Sequence, residues 1–149
     1  MDDHFLLYEI KDRIGTLTLN RPDKLNSLDQ VLWKNIRQTL KDGDDNGDID
    51  VQIITGTGRA FCAGDDISVL TQMQDPEICK DLMLDCIYGL TDTIIHLQKP
   101  LIAAVNGYAY GGGIGVFAQG LLGGGADRSS SRCDPRRRLF ESRCGKRGY

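Results

Sequence analysis

Two glycine-containing turns hold the residues whose types and spacing could do chemistry. The first runs from Gly56 to Ile67 and the second from Asn106 to Gly113, and each follows a short apolar run. Backbone N–H groups at the start of a helix have no intrahelical partner, so they point outward as free donors. Two converging turns of this kind would form an oxyanion hole, because glycine lets a substrate carbonyl approach the backbone closely. Ordinary turns also use glycine, so the spacing alone leaves this as one hypothesis among several.

Two further patterns could bind ligands. The acidic loop 42–49 matches the opening of a calcium-binding EF-hand loop, but its twelfth position holds Ile53 where a bidentate Glu is needed. We therefore interpret that loop as a solvated turn. Residues 113–118 fit the G-x-G-x-x-A string of a dinucleotide-binding fold, although seven residues separate them from the preceding apolar run at Val105. A nucleotide-binding module built on residues 113–118 stays open as an alternative.

Patterns typical of nucleophiles and metal ligands are sparse in the sequence. It contains neither G-x-S-x-G nor H-E-x-x-H, and its five cysteines form no C-x-x-C pair, so we predict no metal site. Cys62 has no evident base nearby in the sequence and is predicted to be a small buried hydrophobe. His96 falls near the end of a predicted helix, which favours a surface or interface role. The cysteine usage predicts a reducing, cytoplasmic setting.

The strands that would position these turns belong to an α/β layered fold. Residues 5–10 and 14–19 are β-rich runs separated by a short connection, which predicts an antiparallel hairpin. Residues 51–55 and 101–105 are short apolar runs that predict buried strands. Because helical patterns lie between these runs, the sequence predicts a sheet with parallel strands.

Two helices are predicted between the strands. Ser27 begins a capping-box pattern, and apolar residues then recur at every fourth position, which predicts a helix that is ended by Gly43. A second four-residue repeat starts just after Pro76 and predicts a helix to about Leu97, where Pro100 stops it.

Charge divides the chain of 149 residues into two parts. Residues 1–119 carry 10 Lys and Arg against 18 Asp and Glu, whereas residues 120–149 carry 8 against 3. The acidic body argues against nucleic-acid binding, and the basic tail would attract phosphate only nonspecifically. The sequence has no apolar stretch long enough to span a membrane and no secretory leader pattern, so we predict no membrane association.

Four segments, in this order, resemble the enoyl-CoA hydratase/isomerase, or crotonase, superfamily. They are LTLNRPDKLNSL (17–28), GRAFCAGDDI (58–67), KPLIAAVNG (99–107) and YAYGGG (108–113). The resemblance covers about residues 5–118 and implies a crotonase-like spiral of β-β-α units. We expect residues 1–118 to form an incomplete, N-terminal part of such a domain, and residues 119–149 to be a disordered or non-native tail rich in Arg, Gly and Ser.

The resemblance implies an acyl-CoA thioester as substrate and stabilisation of an enolate at its carbonyl. The two donors would be the backbone N–H groups of Asp65 and Gly112, and no cofactor is implied beyond the coenzyme A that the substrate carries. Lys24 and Leu25 would lie along the CoA phosphates, although Lys24 could equally be an exposed loop lysine. The residues implied to bind CoA are Lys24, Leu25, Ala63, Asp65, Asp66 and Ile67.

The departures from the family pattern concern acid/base catalysis. Hydratases of the family place a glutamate where this chain has Gly115, and no later segment matches the second expected glutamate, so Asp134 and Glu141 receive no role. A non-catalytic fragment with residual CoA binding is therefore an alternative. We expect the tail to be read from a shifted reading frame, and the sequence predicts no oligomeric state because the family's trimer contacts would lie mostly in a part that this chain lacks.

Overall fold

The computed structural model of the chain describes residues 4–72 and 75–111. In chain order the elements are β1 (Leu6–Lys11), β2 (Ile14–Leu19), a 3-10 helix (Pro22–Lys24), α1 (Gln30–Asp45), β3 (Val51–Gly56), β4 (Ala60–Cys62), α2 (Ile67–Gln72), α3 (Pro76–Asp81), a π-helical segment (Leu82–Tyr88), α4 (Gly89–His96), β5 (Leu101–Ala103) and β6 (Tyr108–Ala109). Strands β1, β2, β3 and β5 form one sheet in that order, and β4 pairs with β6 in a second.

The first two strands form the predicted antiparallel hairpin, with Leu6 opposite Leu19 and Lys11 opposite Ile14. The connection consists of two residues with positive φ, 50° at Asp12 and 65° at Arg13. Such a pair gives the type I′ geometry that matches the twist of the two strands. The predicted parallel arrangement is also confirmed, since β3 runs parallel to both β2 and β5.

Helix α1 begins and ends at residues other than those predicted. Asp29, and not Ser27, is the N-cap, because its side-chain oxygen accepts the Leu32 N–H at 2.9 Å. Gly43 does not end the helix, which continues to Asp45. Gly43 is buried against the next strand, and a Cβ there would collide with the Gln52 side chain. The glycine is needed for close packing and not for a helix stop.

The second predicted helix is a continuous helical stretch from residue 76 to residue 96, made of α3, the π-helical segment and α4. Its four-residue repeat is confirmed by the burial of Leu82, Cys86, Leu90 and Ile94. A strict repeat of four drifts around an α-helix, and the wider π turns in the middle keep these side chains on one face. Helix α2, which precedes this stretch, was not predicted.

The core lies between the four-stranded sheet, α1 and the helical stretch 76–96. Its largest fully buried side chains are Trp33, Phe61, Leu17, Leu19, Leu28, Ile36, Leu40, Ile49, Ile54, Leu82 and Leu90. The predicted strand 101–105 is shorter than expected and ends at Ala103, while β4 and β6 were not predicted. These two short strands lie at the turns that carry the candidate site.

The acidic loop 42–49 is partly helical, so its interpretation as a turn is wrong up to Asp45. The Asp44 carboxylate accepts the backbone N–H groups of Gln98 and Lys99 at 2.9 to 3.0 Å and ties α1 to the start of β5. Across residues 4–72 and 75–111, no three His, Cys, Asp or Glu side chains lie close enough together to hold a metal ion.

Several predictions from the sequence lie outside the described residues. They are the donor at Gly112, the departure at Gly115, the nucleotide-binding alternative at 113–118, the domain boundary at 118 and the tail 119–149. Within the described ranges, none of the helices has the length and apolar character needed to cross a membrane.

Candidate functional site

Residues 20–29, between β2 and α1, form a loop that we call the Asn26 loop. Asn26 is fully buried, and its φ of 56° lies in the left-handed region that asparagine tolerates. Its amide Nδ2 donates to the carbonyls of Thr57 (3.0 Å) and Ala60 (2.8 Å), and its Oδ1 accepts the Arg21 N–H at 2.8 Å. One side chain thus joins the loop to the turn between β3 and β4.

Residues 63–66, directly after β4, form a second element that we call the Gly64 segment. One edge of it is bonded to the Asn26 loop. The Ala63 N–H donates to the Leu25 carbonyl at 3.0 Å, the Leu28 N–H donates to the Gly64 carbonyl at 2.8 Å, and the Asp66 N–H donates to the Leu28 carbonyl at 2.8 Å. The last two bonds form a parallel bridge, so the segment has the alternating backbone directions of a strand.

The backbone N–H of Asp65 lies on the opposite edge of the Gly64 segment. The N–H of Asp66 points to Leu28, and the intervening N–H of Asp65 therefore points away from it. On that other edge the Tyr110 N–H donates to the Cys62 carbonyl at 2.9 Å, which places the end of β6 there. In the part of the chain that the structure describes, the Asp65 N–H has no hydrogen-bond acceptor. The Asp65 N–H is therefore a donor that faces away from the Asn26 loop.

Glycine backbones meet beside this donor. Gly64 has a φ of 88° and Gly111 a φ of 61°, conformations that side chains rarely allow. A Cβ placed on Gly111 would lie at an ordinary van der Waals distance, 3.5 Å, from the Gly64 Cα, so the two glycines are neighbours in space. Gly112, the second predicted donor, follows Gly111 directly in the sequence but lies outside the described residues.

Asp66 is the most heavily bonded carboxylate of the site. Its Oδ1 accepts the N–H of Ser68 at 3.1 Å and the hydroxyl of Ser68 at 2.9 Å. Its Oδ2 lies 3.1 Å from the Lys24 ammonium and 3.2 Å from the guanidinium of Arg21. The two Ser68 donors, followed by Lys24, hold the pKa of Asp66 well below its usual range against the opposing effect of burial.

Lys24 has features of both roles expected for it, the exposed loop lysine and the CoA-binding cation. Its side chain is 57% exposed, as expected of a loop lysine, yet its ammonium is paired with Asp66. The pair sets the ammonium beside the Gly64 segment while leaving part of it open to solvent. A cation held in this way can contact an anionic ligand without losing all of its own solvation.

The other residues predicted to bind CoA cluster around the same two elements. Leu25 is half-buried and takes part through its carbonyl, which accepts the Ala63 N–H. Ala63 and Asp65 are also half-buried, whereas Ile67 at the start of α2 is 76% exposed. The structure therefore brings together all of the predicted CoA-binding residues.

Two residues that matter to this arrangement had no predicted role. Arg21 is buried, donates to the Ser27 carbonyl at 2.9 Å, and bridges Asp29 at 3.0 Å and Asp66 at 3.2 Å. Trp33 is fully buried in α1 and donates its indole N–H to Asp65 at 3.0 Å. Arg21 lies within the quoted LTLNRPDKLNSL segment, but its partner Asp66 is 45 residues away, and no local pattern signals that distance.

Cys62 and His96 have the roles predicted for them, a buried side chain and a surface residue respectively. Cys62 is fully buried in β4, and burial raises the pKa of its thiol to about 11, which keeps it protonated and unreactive. His96 is exposed at the end of α4, where its Nδ1 lies 2.7 Å from the Asp92 carbonyl. Cys62 borders the Gly64 segment, since its Sγ accepts the Gly64 N–H at 3.5 Å, whereas His96 belongs to neither the Asn26 loop nor the Gly64 segment.

The enoyl-CoA hydratase/isomerase family model matches residues 14–122 of this chain. The chain belongs to that family. The match covers both the Asn26 loop and the Gly64 segment, and it confirms the predicted family and the crotonase-like α/β fold class.

Individual relatives agree with the family. The chain is 41% identical over 105 residues to "Probable enoyl-CoA hydratase, mitochondrial" of Dictyostelium discoideum, covering 70% of this chain and 36% of that protein. It is 36% identical over 117 residues to a 3-hydroxyisobutyryl-CoA hydrolase of Danio rerio, covering 77% and 31%. The chain thus spans about a third of the length of these two relatives.

Solved structures of the family share the fold. An enoyl-CoA hydratase from Mycobacterium marinum superposes with a TM-score of 0.63 at 32% identity, over 75% of this chain and 53% of that one. An enoyl-CoA hydratase from Thermoplasma volcanium gives a TM-score of 0.68 at 29% identity, over 74% and 44%. About three quarters of the chain therefore shares the fold of these structures.

Proposed function

We propose that this chain binds an acyl-CoA thioester and polarises its carbonyl oxygen with two backbone donors, the N–H groups of Asp65 and Gly112. The observation that carries the proposal is the direction of the Asp65 N–H. It points away from Leu28 to the edge where Gly111 is a neighbour of Gly64, and it has no acceptor within residues 4–72 and 75–111. Gly112 follows Gly111 directly in the sequence.

The proposed chemistry is stabilisation of negative charge on the thioester oxygen. Abstraction of a proton next to the carbonyl, or addition of water to a conjugated double bond, produces an enolate whose charge lies on that oxygen. Fixed N–H donors stabilise the enolate more than the neutral thioester, and each such donor contributes on the order of 3 kcal/mol. The bonds that fix the Gly64 segment to Leu25 and Leu28 would keep the Asp65 donor in place before substrate arrives.

The CoA portion would lie along the Asn26 loop and the start of α2. Lys24 offers an ammonium for a phosphate, and its pairing with Asp66 reduces the number of conformers from which it must be recruited. Ile67, which follows Asp66 directly, is exposed and offers an apolar contact. The Lys24–Asp66 pair and the Ala63–Leu25 hydrogen bond support treating these residues as one surface.

A second candidate function, CoA binding without turnover, is favoured by Gly115. A glycine has no side chain for proton transfer, and the loss of a general acid or base costs roughly a hundred- to ten-thousand-fold in rate. Hydratase or isomerase activity is the family's chemistry, and in this chain it would rest on the two backbone donors alone. A third candidate, nucleotide binding through residues 113–118, predicts a different ligand.

One set of measurements separates the three candidates. The purified chain is mixed with crotonyl-CoA while the absorbance of the conjugated thioester is followed, and it is titrated calorimetrically with CoA and with NAD. Turnover supports the enzyme, heat with CoA but no turnover supports the non-catalytic binder, and heat with NAD alone supports the nucleotide-binding module. Absence of both turnover of crotonyl-CoA and heat with CoA contradicts the proposed function.

Paired lysine variants test the binding surface. Lys24→Ala should weaken CoA binding about tenfold, because a charge-assisted contact to phosphate is lost. Lys41→Ala, which removes an exposed lysine of α1 outside the Asn26 loop, should leave the affinity for CoA unchanged. Equal affinities for the two variants would show that Lys24 is only a loop lysine.

A further inference from the structure

Trp33 connects the buried core to the Gly64 segment. Its side chain is fully buried in α1, and its indole Nε1–H donates to Asp65 Oδ1 at 3.0 Å. Asp65 is also the residue whose backbone N–H faces the opposite edge of the segment. Asp65 thus supplies the proposed backbone donor, while its carboxylate is bonded to a residue of α1.

A carboxylate at this position conflicts with the proposed chemistry unless it is restrained. The enolate would place a negative charge next to the Asp65 N–H, and two negative charges repel more strongly where water is excluded. A free aspartate side chain also tends to accept the N–H of its own residue or of a residue two positions later. Either arrangement would make the Asp65 N–H a poorer donor to the substrate.

We propose that Trp33 is a positioning residue. Its indole N–H holds the Asp65 carboxylate against α1 and so leaves the Asp65 backbone N–H open to a thioester oxygen. This inference rests on the proposed function. Tryptophan suits the task because its indole N–H only donates, and because a fully buried ring has few alternative positions. The buried side chains on the same helix, Ile36 and Leu40, pack against the core and fix the helix that carries the ring.

The test compares two ligands that share CoA but differ at the carbonyl. Acetoacetyl-CoA can enolise and place negative charge on its thioester oxygen, whereas CoA has no acyl carbonyl. Trp33→Phe removes the indole N–H and keeps a buried aromatic ring, so binding of acetoacetyl-CoA should weaken about tenfold while binding of CoA stays unchanged. Equal weakening for both ligands would mean that Trp33 serves only the fold, and the inference would be overturned.

A double-mutant cycle with Asp65→Ala isolates the carboxylate. Alanine retains the backbone N–H, so the proposed donor remains while the side chain that Trp33 restrains is gone. Trp33→Phe should then cause no further loss of acetoacetyl-CoA affinity in the Asp65→Ala background. An undiminished loss in that background contradicts the inference. Ile36→Val is the matched control, because it trims a buried side chain of the same helix without touching Asp65.

A ligand-free measurement separates failure of this inference from failure of the proposed function. Three-bond couplings report the χ1 rotamer of Asp65, and we expect one rotamer in the unchanged chain and in Ile36→Val but averaging in Trp33→Phe. A chain that binds neither ligand contradicts the proposed function, and the rotamer measurement still decides whether Trp33 directs the carboxylate. A single unchanged rotamer in Trp33→Phe overturns the inference.

Discussion

The core and the candidate site lie side by side but are held by different interactions. In the core, fully buried apolar side chains such as Leu17, Ile54 and Leu90 pack without directional bonds. In the site, buried polar groups such as Arg21 and Asn26 each make several hydrogen bonds with fixed partners. Apolar packing tolerates small shifts of position, whereas a buried polar group must meet its hydrogen-bond partner. The stability of the site should therefore depend on single donor and acceptor atoms, and that of the core on the volume of its side chains.

The largest expected effect is on the core. Leu40→Ala should lower the free energy of unfolding by roughly 4 kcal/mol, because truncation of a fully buried side chain leaves a cavity where α1 packs against the core. Urea denaturation measures the loss, and amide hydrogen exchange should accelerate throughout the sheet and α1 together. Acceleration confined to the Asn26 loop would contradict the assignment of Leu40 to the core.

The next largest effect is expected from Arg21→Met, which removes a charge but keeps a similar apolar length. Asp29 and Asp66 would lose a buried partner, at a cost of about 3 kcal/mol for breaking a buried ion pair. Hydrogen exchange should accelerate first at the Leu28 and Asp66 amides that join the loop to the Gly64 segment.

Arg21→Lys serves as the matched control for that change. Lysine retains the charge but cannot bridge two carboxylates with a planar group, so we expect only part of the lost stability to return. Full recovery would show that charge alone, and not the geometry of the guanidinium, is what the site requires. An unchanged free energy of unfolding in Arg21→Met would contradict a stabilising role of Arg21 in the site.

An effect no larger than that of Arg21→Met is expected at Asn26, where the contributions of backbone conformation and of hydrogen bonding can be separated. Asn26→Gly keeps a residue that accepts a φ of 56° but removes the amide, which should cost about 2 kcal/mol through the unpaired carbonyls of Thr57 and Ala60. Asn26→Ala should cost about 1 kcal/mol more, because alanine is strained in that conformation. Thermal denaturation of the two variants, compared with the unchanged chain, measures both components.

The same difference explains which features could be predicted from the sequence. The hairpin, β3 and the helical stretch 76–96 follow from the periodicity of apolar residues, because packing depends on that periodicity. Strands β4 and β6 are three and two residues long and pair across more than 40 residues of sequence, so no local pattern reveals them. Their stability comes from tertiary contacts that exist only after the chain has folded.

The candidate site was predictable to the extent that it resembles a family. The motifs around Lys24 and Asp65 were found from their residue order, and the structure brings them together. The pairings of Arg21 with Asp66 and of Trp33 with Asp65 were not found, because each joins residues more than 30 positions apart. The cap at Asp29 was missed for a local reason, since Ser27 and Asp29 both suit an N-cap and only the structure shows which side chain accepts the Leu32 N–H.

An effect confined to alkaline pH concerns Cys62, which belongs to the core by burial and directly precedes the Gly64 segment. The pKa of its thiol is about 11 in the folded chain against 9.0 for an ordinary thiol, so the folded state holds the proton more tightly. This contribution to stability is present below pH 9 and is lost as the pH rises from 9 to 11. Cys62→Ala should therefore flatten the alkaline fall in the free energy of unfolding, by at most about 1.4 kcal/mol for each pH unit.

Alkylation of the same thiol links the two regions. At pH 8 iodoacetamide should modify half-buried Cys79 faster than buried Cys62, as read by peptide mass spectrometry. Arg21→Met should speed modification of Cys62 more than its loss of global stability explains, because opening of the Gly64 segment uncovers the end of β4. Leu40→Ala should speed it only in proportion to global unfolding, since a core variant has no separate route to Cys62. Equal ratios in the two variants would mean that site and core open together, and the distinction between them would be lost.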